Sequence, residues 1–196
     1  MILLLALLAG WLSGLAYARW QRRPYQVLTI KYLWLAFVAF IPQLLAFYLP
    51  ATRSRIPDLL AAASLFTSLV LLLVFAWTNR NLAGMWLLMA GLVLNLAVIL
   101  ANGGFMPISP ATAARLVPAA VVEAMHVGSR FGFGKDVLLL PEDTHLVWLS
   151  DRFLLPAWFF YHVAFSMGDI FIASGIFWLL LRQGIPLKLL ERSKRL

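Results

Sequence analysis

Long apolar runs alternate with short polar breaks along this chain, and the length of the runs sets the first expectation. A helix rises about 1.5 Å per residue and the hydrocarbon core of a bilayer is about 30 Å thick, so an apolar run near 20 residues is long enough to cross. Five such runs stand in the sequence, at residues 2–18, 32–49, 59–78, 82–101 and 157–181. The only long connection, residues 102–156, separates the last two. The expected fold is an all-α polytopic transmembrane helical bundle of about five spans, one membrane domain over residues 1–196, with a partly helical extracytoplasmic loop between spans four and five.

Charge orients the spans. The first run has no basic residue before it and ends against Arg19, Arg22 and Arg23, the reverse of a cleavable secretory signal, so it is expected to stay in the mature protein. With the N-terminus outside, the inner side collects Arg19, Arg22, Arg23, Lys31, Arg80, Arg182, Lys188, Arg192, Lys194 and Arg195. The outer side collects Arg53, Arg55, Arg115, Arg130, Lys135 and Arg152. This excess inside follows the positive-inside rule and predicts a multi-pass protein of the bacterial inner membrane with a cytoplasmic C-terminus. Aromatic residues mark the same boundaries, with Trp20, Trp77, Trp86 and Trp178 near the inner ends and Tyr48, Trp158 and Tyr161 near the outer ones.

The long loop is too apolar for a water-exposed linker, since it carries Phe105, Leu116, Val121, Val122, Met125 and the run 137–140. Ser109 before Pro110 reads as an N-cap and first helical position, and Pro118 breaks the helix that follows. Thr144 is expected to cap a second short helix running to Phe153. These pieces read as interfacial or re-entrant segments folded over the outer mouth of the bundle.

Composition narrows the chemistry. Hydrophobic residues make up 63% of the chain and charged residues 12%, against roughly 45–50% and about 25% in soluble domains. The formal charge of +8 flanks apolar spans, so it points to anionic lipid headgroups as partners and not to nucleic acid. With no cysteine there are no disulfides, thiolate chemistry, iron–sulfur ligation or sulfur-bound zinc. Gly128, Gly132, Gly134 and Lys135 fail as a phosphate-binding loop, because the spacing is one residue too long, Asp136 replaces the hydroxyl residue and no strand is expected ahead of them. Glu142, Asp143 and His145 are read as solvated loop residues, and no metal site is assigned.

Polar residues inside the spans carry the site expectation, because an ionisable group at membrane depth costs at least about 2.5–3.5 kcal/mol. Asp169 is expected midway along the fifth span, with Ser166 and His162 on the same helical face and Gly168 giving a close approach to a neighbouring helix. Asn95 and Asn102 put amides on the fourth span, and Gly91 lies one turn before Asn95. His162 alone cannot form a bis-histidine haem; single-histidine ligation of a pigment stays open, and no cofactor is assigned. Ala6, Gly10, Gly14 and Ala18 recur every four residues on the first span, a register for close helix packing either within the chain or onto another subunit.

The stretch Asn102-Gly103-Gly104-Phe105-Met106-Pro107, the turn Leu149-Ser150-Asp151-Arg152 and the segment Ser166-Met167-Gly168-Asp169 resemble, in this order, the NGG-MP, L-GD and SxGD motifs of a bacterial membrane family of unknown function. The resemblance extends over nearly the whole chain and departs at Ser150, where that family tends to have glycine. It implies no activity. It singles out Asn102, Gly103, Gly104, Met106, Pro107, Asp151, Ser166, Gly168 and Asp169, which are expected to form one outward-facing pocket narrowing toward Asp169.

Three functions follow as expectations. The first is a non-catalytic subunit or scaffold of a larger membrane assembly, binding other membrane subunits or itself. The second is a transporter or binder of a small molecule or ion at a polar site around Asp169. The third is a lipid-modifying enzyme of the outer face using Asp151, His126 or His145 as acid or base.

Overall fold

A computed structural model describes residues 2–26, 29–156, 158, 159 and 161–184. Lys188, Arg192, Lys194 and Arg195, and Ala157 at the expected start of the fifth span, lie outside these residues. The chain is mostly helical: α1 is Ile2–Trp20, α2 Leu33–Gln43, α3 Pro50–Arg53, α4 Asp58–Thr78, α5 Met85–Ala101, α6 Pro110–Ala113, α7 Ala119–Glu123 and α8 Met167–Leu181. Among the described residues, α1 and α4 are long and apolar enough to cross a membrane, while Leu33–Tyr48 and α5 are shorter apolar helices.

The long helices lie in the spatial order α1, α8, α5, α4, α2. Gly10 meets Phe177 and Gly14 meets Leu180, so α1 and α8 run parallel. Gly84 meets Gly175 and Gly91 meets Gly168, so α5 runs against α8. Short turns reverse the chain between the others. One end of the bundle is tied by Tyr25 Oη donating to the Leu180 carbonyl at 2.8 Å and by Asn79, whose side chain bonds both backbone groups of Lys31. The basic residues Arg19, Arg22, Arg23, Lys31, Arg80 and Arg182 belong to this end. Apolar side chains cover the outside, including Leu4, Leu8 and Trp11 on α1, Trp34, Phe37 and Ile41 on α2, and Trp86, Val93 and Leu100 on α5.

The small-residue stripe of α1 is used within the chain. Gly10, Gly14 and Ala18 are its buried positions, Gly10 and Gly14 pack on α8, and Ala6 lines a groove with Ala173 and Phe177.

Several boundaries differ from expectation. Within the fifth apolar run α8 begins at Met167, because Ser166 caps it and Asp169 completes a reciprocal capping box. His162 therefore lies ahead of the helix, exposed, and not on a face shared with Asp169. The fourth run becomes helical at Met85, after Gly84 takes a left-handed conformation (φ 86°) that a residue with a Cβ adopts only under strain. In the second, Pro42 removes a backbone donor and the helix widens into a π turn over Leu44–Tyr48, closed by Leu49 N donating to the Leu44 carbonyl.

The connection at the other end folds into a compact cap that is not purely helical. Ser109 caps α6 as expected, accepting from Thr112 N, and Pro118 separates α6 from α7. Thr144 caps no helix: its hydroxyl donates to the Leu140 carbonyl, and only a 3-10 turn, Val147–Leu149, follows. Four short strands add to the mostly helical fold, β1 (Met106–Ile108) parallel to β2 (Asp136–Leu138), and β3 (Phe153–Leu154) antiparallel to β4 (Ala164–Phe165). Ile108, Ala113, Val122, Leu138 and Ala164 form a small core inside the cap, separate from that of the bundle. Arg130 joins the two, stacked on Phe47 and Phe105 and paired with Asp58 at the start of α4.

The seam between α5 and α8 is testable against a glycine that matters for a different reason. A Cβ at Gly91 would meet the Gly168 backbone and Ile172, whereas Gly103 has open space around it and only its φ of 76° to strain. Gly91→Leu is expected to cost about 3 kcal/mol through overpacking and Gly103→Ala about 1 kcal/mol through backbone strain. Thermal melts in detergent check the order, and equal melting temperatures for the two variants would mean the helices are not in backbone contact.

Candidate functional site

The polar residues gather where the helix ends meet the cap. Asn95, one turn beyond Gly91, donates through Nδ2 to Asp169 Oδ1 at 2.9 Å and accepts from Ser166 Oγ at 2.8 Å. Asp169 N donates to Ser166 Oγ at 3.0 Å, and Ser166 N to Asp169 Oδ2 at 3.2 Å. A side chain at Gly168 would occupy the place of the Asn95 amide, so the glycine makes room for this network. Asp169 is thus not a lone mid-helix acid. It lies in the first turn of α8, where a carboxylate is favoured by the helix dipole, and both its oxygens have partners.

The second half of the site is built by the cap. Gly103 and Gly104 both take positive φ, and a Cβ at Gly104 would collide with Ala62, so the chain leaves α5 tightly against α4. It then enters β1, where Met106 N donates to the Lys135 carbonyl at 3.0 Å and the Pro107 carbonyl accepts from Asp151 N at 3.1 Å. The Asn102–Pro107 stretch thereby holds both Lys135 and Asp151. Lys135 Nζ donates to Asp151 Oδ2 at 2.6 Å and to Asp136 Oδ1 at 3.1 Å. Asp151 is 1% exposed, and its Oδ1 is buried without a hydrogen-bond partner among the described residues.

The two halves act on each other electrostatically. Burial disfavours the charged form of Lys135, but the carboxylates of Asp136, Asp151 and Asp169 outweigh it and hold the ammonium well above its usual range. For Asp151, burial is the largest effect and raises its pKa; Lys135 opposes this, and the charges of Asp136 and Asp169 add to the rise. The net result is a carboxyl well above its ordinary value of 3.8. Three carboxylates surround one ammonium, so the cluster favours an additional proton.

Other expected site residues lie elsewhere. Asn102 bonds Val98 O and both backbone groups of His145, bracing the cap and not entering the cluster. His162 is exposed on the cap, ahead of α8. No hydrogen bond links His126 or His145 to Asp151 among the described residues, and Glu142, Asp143 and His145 do not assemble into a metal-binding group. Lys135 and Asp136 were not among the expected site residues. Their signal was a charged pair set directly against the apolar run 137–140, but the phosphate-loop comparison drew attention to the glycines.

Residues 27–181 match the DUF5317 family, a family of unknown function. The match covers most of the chain and leaves α1 outside it; the chain belongs to this family. No curated protein and no solved structure matches it.

Two consequences of the cluster can be measured. Because Asp151 is held above its unfolded value, its protonated form stabilises the fold. That contribution is complete below about pH 3.8 and is lost as pH rises through the shifted value, the opposite of ordinary acid denaturation. The Lys135 contribution is present below its usual value of 10.5 and lost only at more alkaline pH. Protection factors of the β1–β2 amides, exchange rates corrected for their intrinsic pH dependence, are expected to fall as pH rises above 3.8 in the native chain and to stay level in Asp151→Asn; parallel profiles would refute the shift. Lys135→Met leaves a buried carboxylate unpaired and is expected to cost about 3–5 kcal/mol. Adding Asp151→Asn should recover part of that loss in a denaturant titration.

Proposed function

We propose, for a chain whose family carries no known activity, that it is a five-span protein of the bacterial inner membrane whose capped polar cluster binds a small cation, the proton itself. Helix directions support five crossings: α1 and α8 lie side by side and parallel, with their N-termini on the cap side, and α5 runs against α8. The outward apolar faces support lipid as the surrounding solvent, since water-facing surfaces rarely carry contiguous apolar patches beyond a few hundred Å². Basic residues at the uncapped end support a cytoplasmic location for it, with the cap outside. At 15 residues α8 spans only about 22 Å, so the strands before it complete that crossing near the outer interface.

One observation carries the ion-binding reading. Asp151 is buried, is paired through one oxygen only, and sits between Lys135 and two further carboxylates. A group in this position changes charge in response to small changes around it. Asp169, the centre of the earlier expectation, contributes its charge but is itself tied into the helix cap. The subunit or scaffold reading is the alternative: Gly10 and Gly14 of the α1 stripe pack on α8 within the chain, while Ala6 lines an open groove beside them. For the outer-face enzyme reading, neither His126 nor His145 bonds Asp151 among the described residues, whose side-chain partner is Lys135.

Infrared difference spectra of the protein reconstituted in liposomes test the ion reading. A protonated-carboxyl band is expected to bleach as pH is raised from mildly acidic to alkaline, and to be missing in Asp151→Asn. A band unchanged by that substitution would remove Asp151 as the proton carrier. The absence of native cysteine makes the topology directly accessible. A membrane-impermeant thiol reagent on intact cells should label Glu142→Cys and not Asn81→Cys; the reverse pattern would invert the orientation.

A further inference from the structure

A second site lies on the outside of the cap. A cavity of about 230 Å³ is lined by Arg115, Leu116, Leu154, Leu155, His162 and Val163. Its walls are four aliphatic side chains, and its polar groups are an arginine and a histidine, with no acid among them.

The arginine stands apart from the other cations of the cap. Arg130 is paired with Asp58, Lys135 with Asp136 and Asp151, and Arg152 is stacked on Trp148 and Phe153. The Arg115 guanidinium and the His162 ring have neither a hydrogen bond nor an ion pair among the described residues, and both are exposed at the cavity. A guanidinium offers a planar fork of donors matched to two oxygens of a phosphate. The histidine adds one or two donors depending on its protonation. The cavity is bounded on one side by the β3–β4 hairpin, whose turn presents Trp158, 83% exposed, and Tyr161. Aromatic residues of this kind settle at the headgroup level of a bilayer.

We propose that Arg115 and His162 hold the phosphate of an anionic phospholipid, with Leu116, Leu154, Leu155 and Val163 against the upper part of its acyl chains. The phosphate chemistry stands on the cavity alone; the lipid as its source rests on the membrane reading above. Arg115 and His162 are the residues that bind, and the leucines decide between a lipid and a free phosphate.

Binding in neutral detergent micelles separates the two, because it does not require the chain to cross a bilayer. Dihexanoyl phosphatidylglycerol, dihexanoyl phosphatidylcholine and inorganic phosphate are each titrated against the full chain, with binding read by phosphorus NMR line broadening. The anionic lipid is expected to bind about tenfold more tightly than either other probe. Arg115→Ala is expected to lose about tenfold, the loss of one charge-assisted hydrogen bond, and His162→Ala several-fold, while Arg55→Ala leaves binding unchanged. Equal affinity for both lipids, or affinity untouched by Arg115→Ala, overturns the site. Phosphate binding as tightly as the anionic lipid overturns the lipid assignment. Failure of the labelling pattern with normal phosphatidylglycerol binding would count against the topology and leave this site standing.

Discussion

The close approach of α5 and α8 is the constraint on which the polar site depends. Two helix backbones touch only where neither carries a Cβ at the crossing, and Gly91 and Gly168 meet that condition. Their contact brings Asn95 within hydrogen-bond reach of Ser166 and Asp169, so the start of α8 is fixed from a neighbouring helix as well as by its own cap. With that start fixed, the chain before it leaves the bundle as the β3–β4 hairpin. Asp151, two residues ahead of β3, arrives beneath β1, where the Pro107 carbonyl receives its amide.

The cap is therefore an extension of the bundle, held by backbone as much as by side chains. β1 continues from α5 through two glycines, and β2 pairs with it in register Met106 to Asp136. That pairing places Lys135 one residue before the strand, close enough for its ammonium to reach Asp151. The ion pair is not by itself a reason for stability, since burying two charges costs about as much as their attraction returns. What it does is fix where the charges are, between a strand pair on one side and the α8 cap on the other.

How much of this was legible in the sequence depends on the range of the interaction concerned. The apolar runs located the long helices because burial and helix rise are local properties, and the Ser109-Pro110 cap was readable for the same reason. The grouping of Asn95, Asp151, Ser166 and Asp169 at one end of the bundle was approachable from spacing and turn residues. The start of α8 was misplaced because the stretch 157–165, apolar but for His162, looks helical by hydropathy, while the capping box that opens the helix is a signal of four residues, Ser166 to Asp169, inside a longer run. Strands β1 and β2 were invisible because each is three residues long and meaningful only beside the other, 30 positions away in register. Lys135 was overlooked for the same reason: nothing local says that a loop lysine will meet an aspartate sixteen residues on.

The two aspartates differ in how their charges are matched. Asp169 was the natural suspect, being the acid nearest the centre of an apolar run, yet its oxygens are matched by Asn95 and by the backbone it caps, which accounts for its presence without further chemistry. Asp151 has the opposite character. Lys135 alone would keep it ionised, and burial alone would keep it neutral. Asp136 and Asp169 oppose the lysine, and together with burial they leave the Asp151 carboxyl well above its ordinary range. A fixed charge needs only a partner, whereas Asp151 meets one partner, two opponents and burial, and on that opposition the proposed proton binding rests.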